Sequence, residues 1–294
     1  MHHLATDPTP NGGGNINELA QPTDGSGRVA ALAEARGVVR DALASVRNME
    51  HLLRSPRVGA RAIAQVIPEL KGSCDPLARS LEQVLQAVRD VANGSVEAAT
   101  AELETFMPGV VERLRAALDQ RSGAAADAKG RLAFENDIVL VGAELNSVRQ
   151  LLDLLVRATE RSDTDLSIQE VVHETFLVSF RPTPPREMIK VLASYETDAS
   201  GFRASPQILM PLISIGIAMS RGTADEPVFL QATCLHDEPV RILIARSGPA
   251  GSEEYTFEPP LIVPPTLVCA QTAARLAGGA FAAAPGRAAL SWPR

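Results

Sequence analysis

A run of apolar residues spaced alternately three and four apart limits this chain more than any other feature. Ile138, Val141, Leu145, Val148, Leu152 and Leu155 keep that spacing without a break. All six fall on one face of a helix, and no period-two alternation is left for a strand. The same helical period governs the chain from Gly27 to Glu160. A first helix is predicted over about 28–69, on Leu32, Val39, Leu43, Val46, Met49, Leu53, Ile63 and Ile67. Asp75-Pro76 offers an N-cap followed by proline at the first helical position. A second helix is therefore expected to start there and to carry Leu77, Leu81, Val84, Val88 and Val91, until Asn93-Gly94 stops it. A third is expected over about 96–120 on Leu103, Met107, Val110, Leu114 and Leu118, and a fourth over about 127–160 on the opening seam. Four such helices make antiparallel hairpins, and so regular a seam predicts a bundle closed by a second copy, a homodimer.

Composition narrows the function classes. The chain has 294 residues, enough for two domains, and is 45% hydrophobic but only 4% aromatic. That balance favours helices packed through small side chains over a sandwich or propeller. The net charge is -7, and nothing gathers Lys and Arg into a stripe, which argues against nucleic acid as a partner. Cys74, Cys234 and Cys269 lie far apart, so neither a zinc site nor a disulfide framework is expected. The start, MHHLATDPTP, has no apolar core of a signal peptide, and no later run is long and apolar enough to span a membrane. The expectation is a cytoplasmic chain. Residues 1–26 are rich in Pro and Gly and are read as a disordered tail, with His2 and His3 inside it. There is no Walker motif, no G-x-S-x-G and no supported Ser-His-Asp spacing. Glu112-Arg113 and the charges from Arg157 to Arg161 read as solvated helix faces.

Beyond Thr164-Asp165 the pattern changes. Ser167-Ile-Gln-Glu170 forms a capping box and opens a short helix over about 168–177. Strand-like runs follow at 188–195, 228–234 and 240–245, with an apolar helix from Pro206 to Ser220 between the first two. A last helix over about 265–277 ends at Gly278-Gly279 and leads into two short strands, 280–284 and 287–292. The fold class is therefore α+β, an N-terminal antiparallel helical bundle followed by an α/β sandwich with helices on one face of a mixed sheet. The expected organisation is a tail at 1–26, an extra helical hairpin at 27–94, a dimerisation hairpin at 95–162 and the sandwich at 163–294.

That order resembles bacterial sensor histidine kinases, in which a phosphotransfer hairpin precedes a Bergerat-type ATP-binding domain. Leu151-Leu-Asp-Leu-Leu155 with Asp165-Leu-Ser-Ile168 resembles the passage from hairpin to ATPase-like domain. Ser205–Met219 resembles the N-box helix, Arg241–Pro249 the first glycine box, Phe257-Glu-Pro-Pro260 the phenylalanine box, Leu267–Gly279 the helix after the second glycine box, and Gly286–Trp292 the closing strand. The resemblance implies where ATP and magnesium would sit, and those positions depart from it. Ser214 and Ala218 stand on the face where Asn side chains are expected, and neither can replace an amide oxygen on the metal. Arg246 stands where an Asp would accept from adenine, and Arg has donors only. Pro264 and Pro265 replace glycines whose N–H groups would close on phosphate. The segment that would form a lid is absent. The implied domain is a degenerate one, with no cofactor and no metal.

The resemblance also implies a phosphoaccepting His followed by an acid, with Pro five positions after the His. His51-Leu-Leu-Arg-Ser-Pro56 has the His and Pro but lies in the extra hairpin. Leu103-Glu-Thr-Phe-Met-Pro108 lies in the hairpin next to the ATPase-like domain, with Leu in place of the His. His173 reads as a packing or surface residue and His236 as a solvated turn residue. The expected function is a non-catalytic, histidine-kinase-like adaptor that dimerises through its helical bundle and docks a receiver-domain or other signalling protein on its degenerate ATPase-like domain. The alternative is a phosphotransferase relaying phosphate through His51 to or from an aspartate, without binding ATP.

Overall fold

The structure is a computed structural model that describes residues 25–55, 57–92, 97–121, 128–160, 162–179, 188–198, 201–222, 226–248, 251, 253–260, 262–263 and 265–293. Four long helices come first: α1 (Gly25–Arg54), α2 (Ala60–Ala92), α3 (Glu97–Arg121) and α4 (Ala128–Thr159). Each packs on its neighbours in the order α1–α2–α3–α4, and α4 packs back on α1, which closes the ring. Ion pairs fix the antiparallel register. Lys71 meets Asp119 and Arg115 meets Asp75 between α2 and α3, and Arg54 meets Glu135 between α1 and α4. The bundle is thus complete within one chain. Within the chain the α4 seam (Ile138, Val141, Leu145, Val148, Leu152) is already buried, with the chain's own first hairpin packed beside it.

Two helix boundaries differ from expectation. α1 stops at Arg54, and Arg131 of α4 takes over the unsatisfied end. Its guanidinium donates to the carbonyls of Leu52, Leu53, Ser55 and Val58 at 2.6–2.9 Å. Conversely, Asp75-Pro76 starts nothing, since α2 runs straight through Pro68 and Pro76. A proline inside a helix costs about 3 kcal/mol. Ile63, Ile67, Leu70, Cys74, Leu77, Leu81 and Val84 stay on one buried face across both prolines. At about 1.5–3 kcal/mol for each large side chain, that burial outweighs the two breaks.

The second part opens with β1 (Thr164–Leu166) and α5 (Ile168–Ser179), followed by β2 (Ile189–Thr197), β3 (Phe202–Ala204) and α6 (Pro206–Ser220). It continues with β4 (Val228–Cys234), β5 (Val240–Ala245), β6 (Glu253–Phe257), α7 (Thr266–Leu276), β7 (Ala280–Ala284) and β8 (Arg287–Trp292). Six strands form one sheet in the order β6-β2-β4-β5-β8-β7, and β1 pairs with β3 apart from it. Only β2 and β4 run parallel, in register Val191 to Val228, with α6 in the crossover between them. The helices lie on one face, so alternate residues turn inward: Val191 and Ala193, Leu230 and Ala232, Ile242 and Ile244. The α+β class and the sandwich are as the sequence predicts. β1, β3 and β6 are additions. β6 opens on Glu253-Glu254, and its apolar alternation is confined to Tyr255 and Phe257, too short a run to stand out in the sequence.

One glycine is fixed by a close approach. Gly278 (φ 83°) ends α7 in the left-handed region, and a Cβ on the next residue, Gly279, would collide with the Trp292 ring. That contact seats the closing strand against the end of α7.

Candidate functional site

α4 joins the two parts, and its sequence changes character along its length. Its first half buries one stripe and leaves Leu132 and Leu140 at 59% and 55% exposure. In its second half Leu151, Leu152, Leu154, Leu155, Val156 and Ala158 are all buried, which covers nearly the whole circumference. The extra face is covered by α7, whose buried residues are mostly small (Cys269, Ala270, Thr272, Ala273, Ala274) and allow close approach.

Between α4, α6 and the start of α7 lies a cavity of about 360 Å³. Arg149, Asp153 and Arg157 project from successive turns of α4, and Ser214 and Ile215 of α6 face them. Arg149 donates to Asp153 at 2.8 Å, and Arg36 of α1 reaches the same carboxylate at 3.8 Å. Arg157 makes no ion pair among the described residues. The sequence placed Arg157 on a solvated face. It is exposed, but it also borders this cavity. The signal for it was the polar line 149, 153, 157, four residues apart, inside an otherwise apolar half-helix.

Of the residues singled out for nucleotide chemistry, Ser214 and Ala218 stand on α6 and Arg246 reaches the end of that helix. Ser214 is half-buried and donates its hydroxyl to the Met210 carbonyl of its own helix at 2.9 Å. Ala218 sits one turn further on, also half-buried. The Arg246 guanidinium donates to the Arg221 carbonyl at 2.9 Å, capping the end of α6 beside the β7–β8 turn. Pro265 is buried as the N-cap of α7, and Pro264 lies outside the described residues. The entry to α7 closes on itself, for Thr266 N–H donates to the Val263 carbonyl and Val263 N–H to the Thr266 hydroxyl oxygen. Phe257 is a core residue packed edge-on against Phe176 at 5.6 Å.

His51 is exposed in the last turn of α1, and Pro56 lies outside the described residues. Arg47 donates to Asn146 and Arg54 to Glu135, so contacts to α4 bracket His51 on both sides. Beside it a groove of about 480 Å³ runs between α1 and α4, lined by Arg47, Glu50, Val139 and Asn146 and ending at Pro259-Pro260. Leu103 is fully buried. His173 stands edge-on to Tyr255 at 6.0 Å, and His236 pairs with Asp237 in an exposed turn. No group of three or more metal-ligating side chains occurs among the described residues. Nor is any described helix long and apolar enough to cross a membrane.

No family model and no curated protein matches this chain. Among solved structures it is similar to the Acinetobacter baumannii histidine kinase AdeS, at 11% identity and a TM-score of 0.32. The match covers 65% of this chain and 94% of that one.

Burial raises the pKa of two cysteines. The Cys269 thiol is pushed up to about 12, and that of Cys74 is raised in the same direction. All three cysteines are free and buried, which leaves them without the exposed thiolate that reactivity needs.

Proposed function

We propose that the chain is a non-catalytic, histidine-kinase-like signalling adaptor that docks a receiver-domain partner on its α1–α4 face. The observation that carries this reading is the state of Ser214. At the position where the kinase resemblance calls for a metal-holding amide stands a hydroxyl bonded to its own helix and turned toward α4. The self-closed start of α7, the capping role of Arg246 and the buried Leu103 support it. Leu132 and Leu140 are exposed on α4, and Arg47, Glu50 and Arg54 lie on the adjoining α1, which offers a partner both apolar and charged contacts. Dimerisation through the helical bundle belongs to the same reading, and light scattering that finds a monomer at micromolar concentration would remove it. The test is a pull-down with a receiver-domain protein. Leu140→Glu is expected to abolish capture, and unchanged capture by that variant would sink the assignment of the face.

A second reading is favoured by the exposure of His51 in that same face. In it, phosphate passes between the His51 ring and a receiver aspartate, with no nucleotide involved. Incubation with a phosphorylated receiver separates the two readings. Label on the wild type that is missing from His51→Ala would establish the relay and replace the adaptor reading.

A further inference from the structure

The cavity between α4 and the α6–α7 face has a composition that the adaptor reading leaves unused. We propose that it binds a small organic monoanion, a monocarboxylate with an apolar body. The inference stands independently of the adaptor reading.

Three observations carry it. The first is size and position: about 360 Å³ lies within the range of small-molecule sites, roughly 300–1,000 Å³, and such sites concentrate where two domains meet. The second is charge. Two guanidiniums and one carboxylate border the space, and Asp153 already accepts from Arg149. Among the residues that line the cavity one positive charge, that of Arg157, is left over, and Arg36 behind Asp153 adds to the positive side. A single carboxylate balances the Arg157 charge, and a guanidinium presents the planar fork that a carboxylate accepts. A triphosphate would bring several negative charges against that one. The third is the rest of the lining. Leu154, Ile215 and Val263 supply apolar wall, and among the described residues no aromatic side chain lines the cavity to stack on a base. Ser147 and Ser214 spend their hydroxyl hydrogens on the Ala143 and Met210 carbonyls, which leaves both as acceptors only. Neither would hold an anion. The anionic end therefore belongs at Arg157 and the body against Ile215 and Val263.

A ligand there would touch α4 and both α6 and the α7 entry, so it would tie the bundle to the sheet. It would also raise thermal stability by mass action.

The test uses the full chain in calorimetric titration and thermal melting, with 4-methylpentanoate and 3-phenylpropionate as probes. Their neutral amides, inorganic phosphate and ATP are run beside them. Both carboxylates are expected to bind and raise Tm. The amides should bind at least about tenfold more weakly, the effect of losing a charge-assisted hydrogen bond. Arg157→Ala should weaken the carboxylates by a similar factor, and Arg157→Lys should restore part of it. Ser214→Leu, which fills the cavity from a half-buried position, should abolish binding. Arg241→Ala, a change to an exposed arginine on the sheet, should leave binding unchanged. Amides that bind as well as acids, or carboxylate binding unaltered in Arg157→Ala, would overturn the proposal. Silence of every probe would overturn it and leave the adaptor reading standing. ATP binding that is lost in Ser214→Leu would overturn both.

Discussion

The two halves of α4 belong to one helix and share one apolar seam, yet only the second is enclosed. In the first half Phe134, Ile138 and Val141 face the bundle while Leu132 and Leu140 face outward. In the second half α7 covers the outward face as well, and the polar line of Arg149, Asp153 and Arg157 borders a cavity between the two parts. The difference separates their structural roles. The first half leaves one face open, whereas the second, covered on most sides, joins the bundle to the sheet.

The sharpest way to break that comparison is to truncate one leucine in each half. Leu155→Ala should cost about 2–5 kcal/mol, from lost transfer energy and the cavity left behind. Leu140→Ala should stay within about 0.5 kcal/mol, as for other exposed positions. Urea denaturation of the two variants measures both, and equal costs would erase the distinction between the halves.

The polar anchors come next. Arg131, in the first half, holds four carbonyls at the end of α1, so Arg131→Ala should cost about 1–3 kcal/mol. Hydrogen exchange should place the loss at the end of α1, and a uniform loss of protection would contradict the capping role. Asp153, in the second half, is partly exposed in its pairs with Arg149 and Arg36. Asp153→Asn should therefore cost no more than about 1 kcal/mol.

The smallest effect within ordinary pH separates the bundle from the sheet domain. Burial is the main cause raising the pKa of Tyr195, and its contact with Tyr255 adds to it. Tyr255 is raised too, by burial first and then by its hydrogen bond to Glu253. A raised folded-state pKa means that the native state holds the proton more tightly than the unfolded chain does. Stability from this cluster is therefore constant below the unfolded tyrosine value, about 10, and falls as pH rises above it. Tyr195→Phe should flatten that decline. Circular dichroism melts at pH 8 and at pH 11 read the effect, and a decline unchanged in the variant would show that other groups cause it.

Much of the fold was legible in local pattern. α3, α4 and α6 and the strands β4, β5, β7 and β8 fall close to or on their predicted bounds, because an uninterrupted period of 3.6 or 2 marks each of them. The misreadings also have local causes. Asp75-Pro76 looks like a helix start in any window that omits Ile63 to Leu70, and β6 is a short edge strand held by pairing with β2 and by Tyr255 and Phe257 against Phe176. The candidate site was less legible. Ser214 could be placed on α6, but α4 as the wall opposite it could not. Arg246 could be seen to lack an acceptor, yet its capping of α6 joins residues that lie 25 positions apart.

The sequence by itself determined the secondary elements, the α+β order and the residue types at each position, since these depend on contacts within a few residues. Tertiary structure alone decided how the faces were shared out. The seam of α4 called for a cover, and a second copy or the chain's own first hairpin would serve equally well, because burial of apolar surface is non-directional. Closing the ring within one chain, and laying α7 across the second half of α4, settled which leucines became core, which stayed open and where Arg157 came to stand.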